Sequence, residues 1–560
     1  MRLWGFFALL VFCLATGCSS HYGLLPQRPI CEVAPAPLDD PSEPGTYPVA
    51  STEYKFVDAV NIPPNDPNID VWATVRYPAA SAGIDAPIAP GNAQFPLVVY
   101  LHGNHGTTVS GNTHVCGGKG PVVPNHEGYN YVLDRLASHG MIAVSINANE
   151  LNCHEDRIQE RGKLILEHLR RWKEWNDPNQ PDVTFGGRFY KRVDFEKIGL
   201  AGHSRGGEAI VSAYLENKAT GLKFGIKALH PIAPTYFTRS VLEDVPYYVL
   251  LPAADGELER FDGARTYDRA APRENPRRMS KMQLFVHGAN HRWFNTVWVE
   301  DVDDGQPPAG TSGRLTPKNQ QSIEQVTAVA FFRQFLQDFA PARRLFTGTG
   351  AVSSLGKFKI YRSYQDPEHL TVDDFDDGSS SLAFNSLGGS NAVGALSPAS
   401  NEHLWEHPDN TAESNYFHET SGLLAGWQRM SDQAYFRLSI PTDRMKDLSA
   451  YPYLSFRIMQ IVGKEIPVKQ DQDLDFDVGL EDKHGGTAFV RVGMYDRLPF
   501  PYARPDSLIS MLQTVRLGVA CFSSELHHMG IDSTSIKAIH FRFNRQPAGL
   551  VGIDSIQFSK

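Results

Sequence analysis

KIGLAGHSRGGEAIVSAYL, Lys197 to Leu215, opens with a short apolar run, passes through a serine set among glycines, and resumes as apolar residues at helical spacing. The run predicts a buried strand, the spacing predicts a helix, and Gly202-His203-Ser204-Arg205-Gly206 is the turn between them. In a turn this tight a side chain at either flanking glycine collides with the neighbouring strand or helix. The serine is lifted above the sheet edge, and the first N–H groups of the helix behind it aim at the same spot. Ser204 therefore reads as an exposed nucleophile. The plainer alternative, a capping serine in a glycine-rich turn, is what the pentapeptide alone leaves open.

A serine hydroxyl is a weak nucleophile near neutral pH, so the reading requires a base and a group that orients the base. VPYYVLLPAADGELER supplies Asp255 just past a buried run, and MQLFVHGANHRWFN supplies His291 just past the next. Loops that follow parallel strands converge at one end of a sheet, where the three residues can meet. Glu257 and Asp262 share the Asp255 loop but lie further from the strand end, so Asp255 is preferred. His287 falls at the end of its strand and reads as packing, whereas His291 follows the turn Gly288-Ala289-Asn290. An oxyanion hole needs two amide donors. The backbone of Arg205 is one, and the turn Gly103-Asn104-His105-Gly106 after PLVVYLHG offers the other, with Asn104 favoured. His102 reads as turn structure, and His105, His114 and His154 as loop residues; no HExxH spacing assigns a metal here.

Outward from this turn, PLVVYLHG and MIAVSINAN are continuous apolar runs of the kind buried on both faces, YNYVLDRLASHG and Glu155 to Asn176 have helical spacing, and GIKALHPIA, VPYYVLLPA and MQLFVHG continue the strands. QQSIEQVTAVAFFRQFL, Gln320 to Leu336, ends the series as a helix. This alternation predicts an α/β class, a mostly parallel sheet with helices on both faces. After about Ala340 the pattern becomes short alternating strands, among them AYFRLSI, YPYLSFRIMQI, AFVRVGM and GIDSIQF, which predict an all-β sandwich of jelly-roll type. The expected organisation is a signal peptide over 1–17, a tether over 18–52, a catalytic domain over 53–340, a linker over 341–369 and a β-sandwich over 370–560.

LHGNHG, GHSRGG, the Asp255 loop and GANHRWFN fall in the order of the α/β-hydrolases, and the chain from about Tyr54 to Ala340 resembles that family. The likeness is nearest to its chlorophyllase, platelet-activating-factor acetylhydrolase and polyester-hydrolase branch, in which a G-H-S-x-G-G elbow and a strand-helix-strand like RLASHGMIAVSINAN occur. It implies hydrolysis of carboxylic esters through an acyl-serine intermediate, with no cofactor for catalysis. The C-terminal region resembles a galactose-binding-type jelly roll in its opening VDDFDDG, Val372 to Gly378, and its closing VGIDSIQF, Val551 to Phe558. Several such domains carry a structural calcium there, for which Asp373, Asp376 and Asp554 offer hard oxygen ligands; a solvated acidic turn is the alternative. Trp405 and Trp427 stand either as sugar-stacking residues or as core.

The N-terminus, MRLWGFFALLVFCLATGCSS, has one early arginine, an apolar run and small residues before Cys18, an export signal whose ending resembles a bacterial lipobox. Cys18 is then the lipidated first residue of a lipoprotein held at a bacterial envelope, the outer membrane being expected; an ordinary secretory signal is the alternative. Of the later cysteines, Cys116 and Cys153 follow strands whose loops share the catalytic end, and in an oxidising compartment they are expected to pair. Cys31 and Cys521 fall in distant regions. The 560 residues imply two folded parts, and a net charge of -10 excludes a broad basic surface for nucleic acid. The expected partners are an ester (a small molecule, a lipid or a polymer), a membrane through the anchor, and a glycan through the C-terminal domain. The competing readings are a glycan-binding lipoprotein on a hydrolase-like scaffold, and a serine hydrolase of amides or thioesters.

Overall fold

The computed structural model describes residues 38–62, 68–154, 156–270, 279–299, 313–350, 352–405, 414–441, 448–466, 468–505, 507–522 and 531–560. In chain order the first part contains β1 (Val49–Val60), β2 (Ile69–Pro78), β3 (Gly83–Ile84), β4 (Phe95–Leu101), a small hairpin of β5 (Thr108–Ser110) and β6 (Thr113–Val115), α1 (Asn130–Ser138), β7 (Ile142–Ile146), α2 (Ile158–Asn176), β8 (Val193–His203), α3 (Arg205–Thr220), β9 (Ile226–Ile232), β10 (Tyr247–Pro252), α4 (Asp262–Arg269), β11 (Lys281–Val286), α5 (Pro317–Leu336), α6 (Arg343–Phe346) and β12 (Ile360–Gln365). Ten of these strands form one sheet in the order β12-β11-β10-β9-β8-β4-β7-β2-β1-β3. From β11 to β7 all neighbours are parallel, whereas β12 joins β11, and β2 joins both β7 and β1, antiparallel.

The apolar runs become central strands because both of their faces are covered. Along β4, Leu97, Val99 and Leu101 enter a core shared with α2, α3 and α4, while Val98 and Tyr100 enter one shared with α1, α5 and α6. Each such residue, wholly removed from water, contributes about 1.5–3 kcal/mol before the entropy of ordering it. α5 begins where the sequence places its start signals: Thr316 accepts from Asn319 N, and Pro317 occupies the first turn.

The second part has two antiparallel sheets facing each other. One holds β15 (Ala399–Trp405), β17 (Phe417–Trp427), β26 (Gly549–Ser559), β19 (Tyr453–Ile461) and β24 (Gln513–Gly518), with β13 (His369–Asp373) also on β26. The other holds β14 (Asn391–Val393), β18 (Tyr435–Ser439), β25 (Ile536–Arg542), β20 (Asp477–Asp482) and β21 (Thr487–Arg491). Leu454, Phe456 and Ile458 from the first meet Val478, Leu480 and Phe541 from the second in one core. A small third sheet, β16 (Ser414–Asn415), β23 (Leu508–Ile509) and β22 (Tyr502–Ala503), leans the other way: Tyr502 and Ile509 belong to the core under the first part's sheet.

The expected class, an α/β-hydrolase fold with a helix-covered, mostly parallel sheet followed by a jelly roll, is corrected here. Strand outweighs helix, 36% to 22%, and the described residues contain six α-helices, so the protein is mostly β, built on large multi-strand sheets. Part of the difference lies in segments without apolar runs. β1 begins inside the expected tether and β12 inside the expected linker, and both are recruited to the large sheet by antiparallel pairing. No helix among the described residues is long and apolar enough to cross a membrane. The expected signal peptide, the lipidation site Cys18 and Cys31 lie outside the described residues.

Candidate active site

Ser204 sits between β8 and α3 with φ 55° and ψ -123°, a backbone conformation rarely tolerated outside glycine. The strain is held by the surroundings: Ser204 N donates to Ile232 O of β9 at 2.9 Å, and Ser204 O accepts from Gly207 N at 2.8 Å. A Cβ at Gly202 would lie 2.2 Å from Gly206 O, and one at Gly206 would lie 2.3 Å from Leu101 O, so both glycines are imposed by close approach. The turn after β4 presses on the serine too. A Cβ at Gly103 would stand 2.6 Å from Ser204 Cβ and 3.2 Å from its Oγ.

Asp255 and His291 meet at the same end of the sheet. His291 Nδ1 and Asp255 Oδ2 are 2.9 Å apart, and each residue is 1% exposed. Asp255 Oδ1 accepts from Glu257 N at 2.8 Å and Leu258 N at 2.7 Å, which fixes the carboxylate from the other side. Ala254 N donates to Ala289 O at 2.8 Å, joining the aspartate turn to the histidine turn. From α5, Gln320 accepts from Asn290 N at 3.0 Å and donates to Asn290 O at 2.8 Å. His203, next to the serine, closes the arrangement: its Nε2 donates to His291 O at 2.9 Å, while its Nδ1 accepts from Tyr129 OH at 3.0 Å.

The electrostatics follow from this packing. Burial pulls the His291 imidazole down, but the charges of Asp255 and Glu257 and the Asp255 hydrogen bond override it and raise the group to about 9. Burial works to raise the Asp255 carboxyl, yet the His291 charge, its hydrogen bond and the two amides hold it below the usual carboxylate value. Burial, helped by His291, holds His203 well below its ordinary value and hence neutral. With Asp255 on Nδ1, neutral His291 keeps its proton there and leaves Nε2 as the basic atom. Nε2 has no hydrogen-bond partner, so the Ser204 hydroxyl is not yet joined to it. Glu257 Oε2 stands 3.3 Å from Nε2, in ion-pair range, and its other oxygen takes Arg292 Nε at 2.7 Å. Within this loop, Asp255 thus faces Nδ1 and Glu257 the opposite nitrogen.

The turn bearing Asn104 is braced by the loop after β7. Asn104 Oδ1 accepts from Cys153 N at 2.7 Å, and Asn152 Nδ2 donates to His105 O at 3.0 Å. Cys116 and Cys153 are joined as a disulfide. Buried Arg161 donates to Asn152 Oδ1 at 2.6 Å and to Leu151 O at 3.0 Å, and His102 Nε2 accepts from Ala148 N at 2.8 Å. The Asn104 side chain is therefore committed to the loop, and what the turn presents to Ser204 is backbone. Arg205 opens α3, and its guanidinium donates to His154 O at 2.7 Å, while the first-turn amides of Gly207 and Glu208 donate back to Ser204 O.

The chain matches no family model and no curated protein. His203, Gln320 and Arg161 brace the site and were not singled out from sequence; only the position of His203, beside the serine, carried a signal. Of the residues expected to hold calcium in the second part, Asp373 accepts from Phe375 N at 3.2 Å and Asp376 from Ser421 N at 2.9 Å, while Asp554 takes Arg457 Nη1 at 3.0 Å on one oxygen and its other oxygen has no hydrogen-bond partner. Among the described residues no group of three or more His, Cys, Asp or Glu is arranged to hold a metal ion. Trp427 is buried and stacked on Phe543, and Trp405 carries the Arg265 guanidinium 3.9 Å from its ring centroid.

Proposed function

We propose that the protein is an exported serine hydrolase that cleaves carboxylic esters through an acyl-enzyme intermediate. The observation that carries the reading is the buried Asp255–His291 pair, tied through His203 to a serine held at positive φ on a strand-to-helix turn. Ser204 attacks the ester carbonyl as His291 Nε2 takes its proton, and Asp255 holds the imidazole in the tautomer that makes this possible. The backbone at Asn104, across from the hydroxyl, and that of Arg205 at the helix start supply the amides for the oxyanion. The alcohol leaves with the proton from His291. Water, deprotonated by the same nitrogen, then attacks the acyl-serine and releases the acid. The Cys18 anchor would hold this activity at a membrane surface.

The test compares the wild-type chain with Ser204→Ala on nitrophenyl esters of increasing acyl length, with the matching amides and thioesters in parallel. A fluorophosphonate should add to Ser204, located by mass spectrometry. Ester turnover in the wild type and a loss of at least 1000-fold in the variant are expected, because removing the nucleophile leaves only binding and the oxyanion site. Equal turnover in both proteins, or labelling of another residue, overturns the reading.

A further inference from the structure

The second part of the chain reaches into the turn that carries Asp255. Arg504, between β22 and β23, donates from Nε and Nη2 to Ala253 O at 3.2 and 3.1 Å and from Nη2 to Asp255 O at 3.0 Å. The residue is 8% exposed, its guanidinium lies over the Phe261 ring, and its backbone N donates to Ser507 O at 2.8 Å. The amides of the same turn point the other way: Ala253 N donates to Val286 O at 2.9 Å and Ala254 N to Ala289 O at 2.8 Å. The histidine strand and its following turn thus hold the Ala253 and Ala254 amides, and Arg504 holds the Ala253 and Asp255 carbonyls. These carbonyls are buried, and without a donor each costs about 1–3 kcal/mol, so the turn has no cheap way to keep this shape unaided.

The segment is gripped at its far end as well. Asp268, at the end of α4, accepts from His418 Nδ1 at 2.9 Å and Glu419 N at 2.9 Å, and its other oxygen faces Arg457 Nη2 at 2.8 Å. Tyr502 and Ile509, on either side of Arg504 in sequence, are packed in the first part's core. The piece of chain from Ala253 to Asp268 is therefore clamped between the histidine strand and the C-terminal sheets.

We propose that Arg504 is a positioning residue of the catalytic site: it fixes the backbone that carries Asp255 so that the carboxylate meets His291, and it makes the C-terminal sheets part of the active site. This rests on the hydrolase reading above. A planar guanidinium spans both carbonyls at once, whereas a lysine ammonium at this position holds one at a time. A shift of about 1 Å in Asp255 is enough to cost roughly 100-fold in turnover.

The experiment uses the full-length chain with Arg504→Ala and Arg504→Lys, assayed on a short nitrophenyl ester across pH, with active sites counted by fluorophosphonate. In Arg504→Ala, kcat per active site should fall roughly 10- to 100-fold with KM within about 2-fold. The acidic limb of kcat/KM should move to lower pH, because His291 keeps Glu257, Arg292 and His203 around it but loses close contact with Asp255. Millimolar guanidinium should restore part of kcat to the alanine variant, and Arg504→Lys should fall between it and wild type. An unchanged kcat and pH limb in either variant overturns the positioning role. So does a loss that merely tracks the count of active sites, with the limb unmoved. If alanine yields no soluble protein, lysine carries the same two readouts. A wild type that neither turns over ester nor labels at Ser204 removes the hydrolase reading itself, which separates the two failures.

Discussion

Replacing Glu257 by glutamine removes one of the two carboxylates that face the His291 imidazole and leaves the Asp255 bond in place. The Glu257 Oε2 to Nε2 distance is 3.3 Å. Unit charges at that separation attract by about 5 kcal/mol at an effective dielectric of about 20. Glu257 is 27% exposed and shares its charge with Arg292, so solvent and the arginine reduce this to roughly 1.5–3 kcal/mol, equivalent to about one to two pH units. The sign is fixed by the chemistry. His291 must be neutral to take the serine proton, so kcat/KM rises as pH climbs through its pKa, which Asp255 and Glu257 together hold up at about 9. Removing one carboxylate favours the neutral ring, so the acidic limb of Glu257→Gln should move down to about pH 7–8 and the variant should exceed wild type at pH 7. The assay is kcat/KM for a short nitrophenyl ester between pH 5 and 10, corrected for spontaneous hydrolysis. A limb that stays put or moves up would show that Glu257 does not act on the His291 imidazole, and the electrostatic role given to it would fall.

Two further expectations concern stability. Gly206→Ala puts a Cβ 2.3 Å from Leu101 O, so β4 and α3 must part, at a cost of about 2–3 kcal/mol; the urea midpoint should drop and fluorophosphonate labelling should slow, and an unchanged midpoint would refute the close approach. Asp268→Asn removes one of the two carboxylates on buried Arg457 and leaves Asp554 on its other nitrogen at 3.0 Å, which should destabilise the junction of the two parts by about 1.5–3 kcal/mol at pH 7. Burial works to raise the Asp268 carboxyl, but Arg457 and His418 hold it well below its unfolded value of 3.8. That contribution is present above about pH 4 and lost as pH falls toward the folded pKa. The wild-type stability should therefore drop more steeply than the variant's below pH 4, and parallel acid profiles would count against it.

The strand-turn-helix at Ser204 was legible because steric need writes itself into sequence: two glycines against Gly206 O and Leu101 O leave no alternative residue. Asp255 and His291 were legible for a topological reason, since each follows a wholly buried run and such strands bring their following loops to one sheet end. β1 was harder. In VASTEYKFVDAV only Ala50, Thr52 and Tyr54 are buried, because the strand lies near the sheet edge and one of its faces is wet, so a polar stretch at the start of the fold resembles a tether. β12, IYRSYQ, is similar. Its place is decided by antiparallel pairing with β11, a partner about 80 residues away, and not by any pattern of its own. The overall weight of strand over helix was missed for the same cause: edge strands carry half the apolar signal of central ones.

Arg504 lies beyond such reading, because its acceptors are main-chain carbonyls about 250 residues earlier and carbonyls leave no mark in a sequence. What makes its reach dependable is the segment that sequence reads as a linker. β12 pairs with β11 in register from Lys281↔Gln365 to Val286↔Ile360, and from the same strand Ser363 Oγ donates to Leu512 O at 2.7 Å and Tyr364 N to Thr514 Oγ1 at 2.9 Å. The strand is thus bonded to the histidine strand on one side and to the chain around β24 on the other. A flexible tether at this point would leave Arg504 to find its carbonyls against the entropy of a free loop. A paired strand places the guanidinium before substrate arrives, which is the preorganisation that a buried acid-base pair requires.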